Sequence, residues 1–163
     1  MIKTGVLIVS DKGAAGERKD KSGPVIEELI ARVEGEVNSY RIVADHQEQI
    51  RAELIKMADE QKLDLIVTSG GTGLAPRDVT PEATRQVIDR EIPGIAETIR
   101  AESLKKTSRA MLSRGLAGVR GKTLIINLPG SPRAVEECLE IVLPVLNHAV
   151  ELIQDQVDEC GRE

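Results

Sequence analysis

Four short apolar runs, each closed by small or polar residues, set the terms for this 163-residue chain. Val6-Leu7-Ile8-Val9 ends in Ser10-Asp11, and a more mixed stretch over residues 37–43 ends near Asp45. Residues 63–68, with Leu65-Ile66-Val67 at their centre, end in Ser69 and Gly70-Gly71-Thr72-Gly73. Residues 123–127 end in Asn127, then Leu128-Pro129-Gly130. Alternate side chains of a strand point to opposite faces, so an unbroken apolar run predicts a strand covered on both sides.

Helical patterns separate these runs. Pro24 opens one that sets Val25, Ile26, Leu29, Ile30 and Val33 on one face. A second begins near Asp45 and carries Ile50, Leu54, Met57 and Ala58. Thr80-Pro81 starts a third, threonine as N-cap and proline at the first position. Pro93-Gly94 leads a fourth to about Leu104. The last begins at Ser131-Pro132, and Pro144 is expected to kink or split it. Residues 115–120, the turn Gly121-Lys122 and the fourth run predict a hairpin. The alternation predicts one α/β domain over residues 1–163: a mainly parallel sheet with helices on both faces, three layers deep, plus a small hairpin before the last core strand.

Composition narrows the function classes. A net charge of −5 and a pI near 5.2 argue against a broad nucleic-acid or anionic-membrane surface. One tyrosine, with no tryptophan or phenylalanine, leaves no platform for stacking bases. A bound ring must lie between aliphatic walls and backbone. Cys138 and Cys160 form no metal-type pair, and His46 and His148 suggest no zinc site. No leader pattern or membrane-length apolar run is present, so the expected location is the cytoplasm. The charged tail after Asp155 is expected to fray.

Ligands of open α/β sheets bind outside the carboxyl ends of the strands. That edge gathers Ser10-Asp11, Gly13 and Gly16; Asp45; Thr68-Ser69, the glycine run and Asp78; and Asn127 with Pro129-Gly130-Ser131-Pro132. Small residues bring backbone amides close to phosphate, and helix N-termini add positive dipole ends. Each element also has a plainer meaning. The glycine run fits a tight turn, and Asp45 with Glu48 fits a capping box. Asp78 fits a helix-dipole partner, Asn127 and Ser10-Asp11 turn closures. Taken together, two aspartates from different strand ends suit one Mg²⁺ shared with substrate phosphates. Lys12, Arg77, Arg114 and Arg133 are candidates to balance polyphosphate charge. With no Ser–His or Cys–His arrangement, the attacking group is expected from the substrate, as in phosphoryl or nucleotidyl transfer.

Val67 through Thr84 (VTSGGTGLAPRDVTPEAT) resembles the signature of the MogA/MoaB-like molybdenum-cofactor biosynthesis family. The resemblance extends to Val9-Ser10-Asp11, to Asp20 with Ser22-Gly23-Pro24, and to Ala110-Met111-Leu112-Ser113-Arg114. It also takes in Ile125-Ile126-Asn127-Leu128-Pro129-Gly130-Ser131-Pro132 and the helix around Ala134–Cys138. It is similar to the molybdopterin adenylyltransferase branch, which includes the G domains of plant Cnx-type proteins and of gephyrin.

That resemblance implies a Mg-ATP-dependent reaction. The terminal phosphate of molybdopterin attacks the α-phosphate of ATP, giving adenylyl-molybdopterin and pyrophosphate. It implies Asp45 and Asp78 as essential, Mg²⁺- and phosphate-positioning groups, and Gly70, Gly71, Thr72 and Gly73 as a nucleotide loop. Ser10, Asp11, Ser113, Asn127, Gly130, Ser131 and Pro132 match pterin- and nucleotide-pocket motifs, with Ser69, Thr80 and Pro129 inside the same motifs. A homotrimer and a molybdenum-insertion partner are also implied. Less active relatives alter the segment equivalent to residues 77–81 and the asparagine before Pro-Gly; both are intact here. Ala14-Ala15 departs from plant relatives, which carry hydroxyls there, and weaker substrate affinity is expected. Two alternatives stay open: a non-catalytic paralogue that binds pterin or nucleotide, and a trimer-forming structural module.

Overall fold

Side chains alternating along the strands sort the core into two apolar layers, one on each side of a single six-stranded sheet. The computed structural model describes residues 1–155; Cys160 and the tail expected to fray lie outside the described residues. The strands are β1 (Ile2–Val9), β2 (Gly35–Val43), β3 (Leu65–Ser69), β4 (Arg90–Glu91), β5 (Ala117–Arg120) and β6 (Thr123–Leu128), in the order β2-β1-β3-β6-β5-β4. β2, β1, β3 and β6 run parallel, whereas at one edge β5 pairs antiparallel with β6 and β4 antiparallel with β5. The expected hairpin is β5–β6; the two-residue strand β4 was not expected.

The helices are α1 (Asp11–Ala14), α2 (Ser22–Ala31), α3 (Gln47–Ile55), α4 (Thr80–Val87), α5 (Pro93–Leu104) and α6 (Pro132–Ile153). A π-turn segment (Lys56–Glu60) continues α3, and a 3₁₀ segment (Ser108–Leu112) follows α5. Val6, Ile8, Leu65, Val67, Leu124 and Ile126 face α2, α5 and α6, where they bury Ile26, Leu29, Ile30, Ile99, Val135 and Leu139. Leu7, Val9, Ile66 and Ile125 face the other way, onto Ile50, Leu54 and Met57 of the α3 side and Ala83 and Val87 of α4. Neighbours in each apolar run thus serve opposite layers, which is why the runs are continuous. Among the described residues no helix is long and apolar enough to cross a membrane.

Three helix starts differ from expectation, each for a local reason. α2 begins at Ser22, before Pro24, because the Asp20 carboxylate accepts the Ser22 and Gly23 amides at 3.0 and 2.7 Å. α3 begins at Gln47 with no side-chain cap, so the Asp45–Glu48 capping box does not form. Thr80 lies inside α4 and is no N-cap; its buried hydroxyl donates to the Gly70 carbonyl at 2.9 Å. Pro144 does not divide α6. Pro144 and Glu140 both lie on the exposed face, so the carbonyl left without an amide partner faces water.

The chain leaves β1 to one side to make β2, then crosses back to make β3 on the other. β1 and β3 therefore flank the point where strand order reverses, the place where such sheets open a crevice.

Candidate active site

The crevice is shaped first by backbone. Gly70 has φ +104°, and a Cβ there would collide with the Val9 carbonyl oxygen, so the ends of β1 and β3 lie against each other. Gly71 follows at φ +67°, where a Cβ would collide with the Thr80 hydroxyl. The Gly70 amide donates to Leu128 O at 3.1 Å and the Thr80 amide to Gly71 O at 3.1 Å, which ties the turn to β6 and α4.

Two carboxylates rest on this glycine run. A Cβ at Gly71 would stand 3.3 Å from Asp45 Oδ1, and one at Gly73 2.9 Å from Asp78 Oδ2. Asp45 and Asp11 are locked reciprocally: the Asp11 amide donates to Asp45 Oδ2 at 2.9 Å, and the Asp45 amide donates to Asp11 Oδ1 at 3.0 Å. Arg77 reaches across from the glycine loop to the Asp11 carboxylate, Nε to Oδ2 at 2.5 Å and Nη2 to Oδ1 at 2.7 Å. The Ala75 amide donates to Asp78 Oδ2 at 2.9 Å and the Asp78 amide to Ala75 O, a closed turn that aims the carboxylate. Burial pushes the Asp45 carboxyl above its ordinary range, and the negative charges of Asp11 and Asp78 add to that. Arg77 holds Asp11 below its ordinary range.

Around these groups lies an open cleft of about 590 Å³, lined by Ser10, Asp45, Asp78, Ser69, Gly70 and Gly71 together with Gly130, Ser131 and Pro132. Ser22, at the start of α2, and Ser131-Pro132, at the start of α6, also face it. Two helices thus turn positive dipole ends toward the cleft. Ser10 and Ser131 are themselves caps, accepting the Gly13 and Ala134 amides at 3.1 and 3.2 Å. Ser69 Oγ donates to Pro129 O at 2.9 Å and joins the two rims.

A second cleft of about 490 Å³ opens beside the first, and Ser131 lines both. Thr72, Gly73, Ser113 and Pro129 belong here, with Leu74, Ile99, Ala110, Leu112, Ala134 and Cys138 supplying apolar wall. Of the remaining candidates, Asp11 acts behind Asp45, and Thr80 and Asn127 are buried under the floor. Asn127 is fully committed: Nδ2 donates to the Thr68 and Thr84 hydroxyls, each at 3.0 Å, and Oδ1 accepts the Leu116 amide at 3.3 Å. It braces β6 from below the clefts.

The expected polyphosphate cations are otherwise engaged. Arg77 pairs with Asp11, Arg114 with the glycine loop and Glu82, and Arg133 with Glu137. Lys12 is exposed and does not line either cleft. Arg18, Lys19 and Lys21 do line the polar cleft, with Asp20 among them. Their signal was present in the sequence as three basic residues within four positions ahead of a helix start.

The donor set suits Mg²⁺. Glycine at 71 and 73 lets both carboxylates lie close against the loop, and Asp45 and Asp78 repel each other. Among the described residues no cluster of three acidic, histidine or cysteine side chains forms a metal cage. Mg²⁺ typically takes one or two carboxylates and completes its shell with substrate phosphate and water.

Residues 5–148 match the family profile described as a probable molybdopterin binding domain. The chain is 48% identical over 156 residues to a molybdopterin adenylyltransferase of Helicobacter pylori J99, covering 93% of this chain and 88% of that protein. It is also 48% identical to the Drosophila melanogaster molybdenum cofactor synthesis protein cinnamon, but spans only 26% of that longer protein. The crystal structure of the molybdopterin biosynthesis enzyme MoaB of Thermus thermophilus superposes with a TM-score of 0.91 at 55% identity, over 95% of this chain and 98% of that one. A six-stranded sheet with this strand-end site, over nearly the whole matched length, places the chain in the MogA/MoaB-like molybdenum-cofactor biosynthesis family.

Proposed function

We propose that the chain works as one domain, a molybdopterin adenylyltransferase: it transfers AMP from Mg-ATP to the terminal phosphate of molybdopterin and releases pyrophosphate. The observation that carries this reading is the placement of Asp45 and Asp78 on either side of one glycine run, in a cation-bearing cleft that shares Ser131 with an apolar one. One substrate needs its phosphates held and the other needs a flat ring accommodated. Aliphatic walls and backbone serve the ring, since no aromatic residue lines either cleft.

The chain's own groups then act by position and charge. Arg18, Lys19, Lys21 and the N-terminus of α6 draw phosphates into the polar cleft. Asp45 and Asp78 would hold Mg²⁺, which when bound would neutralise negative charge on the substrate phosphates. Glycine at 70 and 71 lets the loop close against Val9 and Thr80, which gives the reacting phosphates a fixed backbone floor. A phosphate nucleophile is already anionic at neutral pH, so the reaction asks for no Ser–His or Cys–His pair. The same reading places the chain in the cytoplasm as a homotrimer that passes its product to a molybdenum-insertion enzyme.

Incubating the protein with molybdopterin, Mg²⁺ and labelled ATP tests this directly. Labelled adenylyl-molybdopterin and one pyrophosphate per product are expected. Binding of pterin without adenylylated product would assign the chain to the non-catalytic paralogues instead.

A further inference from the structure

The Arg114 guanidinium is turned onto the protein itself, across the glycine loop and the first turn of α4. Its Nε donates to Gly73 O at 2.7 Å and its Nη2 to Asp78 O at 2.6 Å. Its Nη1 pairs with Glu82 Oε1, and its own amide donates to Thr72 O at 2.9 Å. One rigid guanidinium plane therefore grips both ends of the segment that carries Asp78. Between those ends, Leu74, Ala75, Pro76 and Arg77 are exposed, so packing does little to fix them.

Arg114 is itself held from below. Arg100 donates to Ser113 O at 3.3 Å and Gly115 O at 2.8 Å, on either side of it. The next residue, Leu116, is locked to Asn127 of β6 by two bonds, 2.9 Å from the Asn127 amide and 3.3 Å to its Oδ1. A continuous line of polar contacts thus runs from the sheet through Asn127, residues 115–116 and Arg114 to Asp78.

We propose that Arg114 is a positioning residue that sets the Asp78 carboxylate for transfer, and that Asn127 serves the site by anchoring Arg114; this rests on the adenylyl-transfer reading. Five donors in a fixed fork bind two carbonyls and a carboxylate at once, which a lysine ammonium on a flexible stem cannot reproduce.

The test uses R114Q and R114K in the full chain, with amide hydrogen exchange and steady-state kinetics. In R114Q, exchange in peptides covering residues 73–79 should quicken by about tenfold or more while β1, β3 and β6 keep their protection. Its kcat should fall about 100-fold with KM for Mg-ATP within about threefold, the pattern of a contact needed in the transition state and not for binding. R114K, able to reach one carbonyl, should recover part of the kcat. Unchanged exchange at residues 73–79 overturns the proposal, as does a KM that rises while kcat holds, since that pattern means direct phosphate binding. Loss of protection throughout the sheet in both variants also overturns it, in favour of a general stabilising role. If R114Q does not fold, R114K is judged by the same readouts. A wild-type protein that makes no adenylylated product defeats the functional reading alone, and the exchange experiment still decides whether Arg114 fixes the loop.

Discussion

The two clefts that meet at Ser131 are built by opposite means. The polar one is defined by backbone: two positive-φ glycines, two helix starts, and aspartates held through main-chain amides. The apolar one is defined by side chains from α5, the 3₁₀ segment, α6 and Leu74, several of them exposed. Backbone cannot be repacked, so the first cleft keeps charges where a reaction needs them. Side chains adapt, so the second suits affinity and tolerates substitution. Chemistry and binding are thereby assigned to neighbouring surfaces with different stiffness.

The largest expected effect comes from removing charge in the stiff cleft. Asp78→Asn keeps the shape and an acceptor for the Ala75 amide but loses the carboxylate. Turnover should fall by about 10²–10³-fold, roughly 3–4 kcal/mol of transition-state stabilisation, with Tm and pterin binding nearly unchanged. Near-normal turnover would demote Asp78 to a loop residue and erase the contrast between the clefts.

Next is the backbone itself. Gly70→Ala demands a left-handed conformation of alanine and drives its Cβ into the Val9 carbonyl oxygen, at the end of the interior strand β1. A loss of about 2 kcal/mol or more in a denaturant melt is expected. Stability within about 0.5 kcal/mol of wild type would mean that the strand ends are less rigid than the comparison requires.

What the sequence disclosed follows the same division. The apolar runs and the hairpin were legible because periodicity reports burial, and the rim motifs because glycine and proline punctuate. Strand order was not, since nothing local in residues 35–43 says that β2 pairs outside β1. Misreadings fell where a side chain had two equivalent uses. Asp45-x-x-Glu48 has the spacing of a capping box, yet the Asp45 carboxylate is taken by an amide 34 positions away, and Glu48 pairs with Arg51 instead. Thr80-Pro81 does open α4, but Thr80 is not its cap, because the hydroxyl is needed by Gly70 O. Arg114 offered itself as a phosphate ligand because the carbonyls it binds are invisible in sequence. Family resemblance marked Asn127 without revealing that it works from beneath the site.

The adaptable cleft should answer more gently. Leu112 is 48% exposed, so Leu112→Asp leaves the core intact while placing a carboxylate in the apolar wall. KM for the substrate whose ring lies there should rise about tenfold, close to 1.4 kcal/mol, with kcat and Tm little changed. A fall in kcat at constant KM would show that this wall also shapes the reacting geometry, and the separation of roles between the clefts would fail.

The smallest effect concerns the cost of keeping Asp45 ready. Its carboxyl is raised above the ordinary range, first by burial and then by Asp11 and Asp78, so the folded chain holds that proton more tightly than the unfolded chain does. Below the ordinary carboxylate range both states are protonated and the group opposes nothing. As pH rises through the raised value, the folded state must carry a partly desolvated charge and stability is lost. Asp45→Asn removes that charge and retains an acceptor for the Asp11 amide. In metal-free buffer the variant should therefore be slightly more stable than wild type at neutral pH, by well under about 1 kcal/mol because solvent still screens the side chain. The gain should vanish as melts are repeated toward about pH 3, where Asp45 is largely protonated in the folded and unfolded chain alike. A lower Tm at neutral pH would mean that the Asp45 charge stabilises the fold through Arg77 and the Asp11 amide. The polar cleft would then be a structural ion network, no longer a site that gives up stability to hold reactive charge.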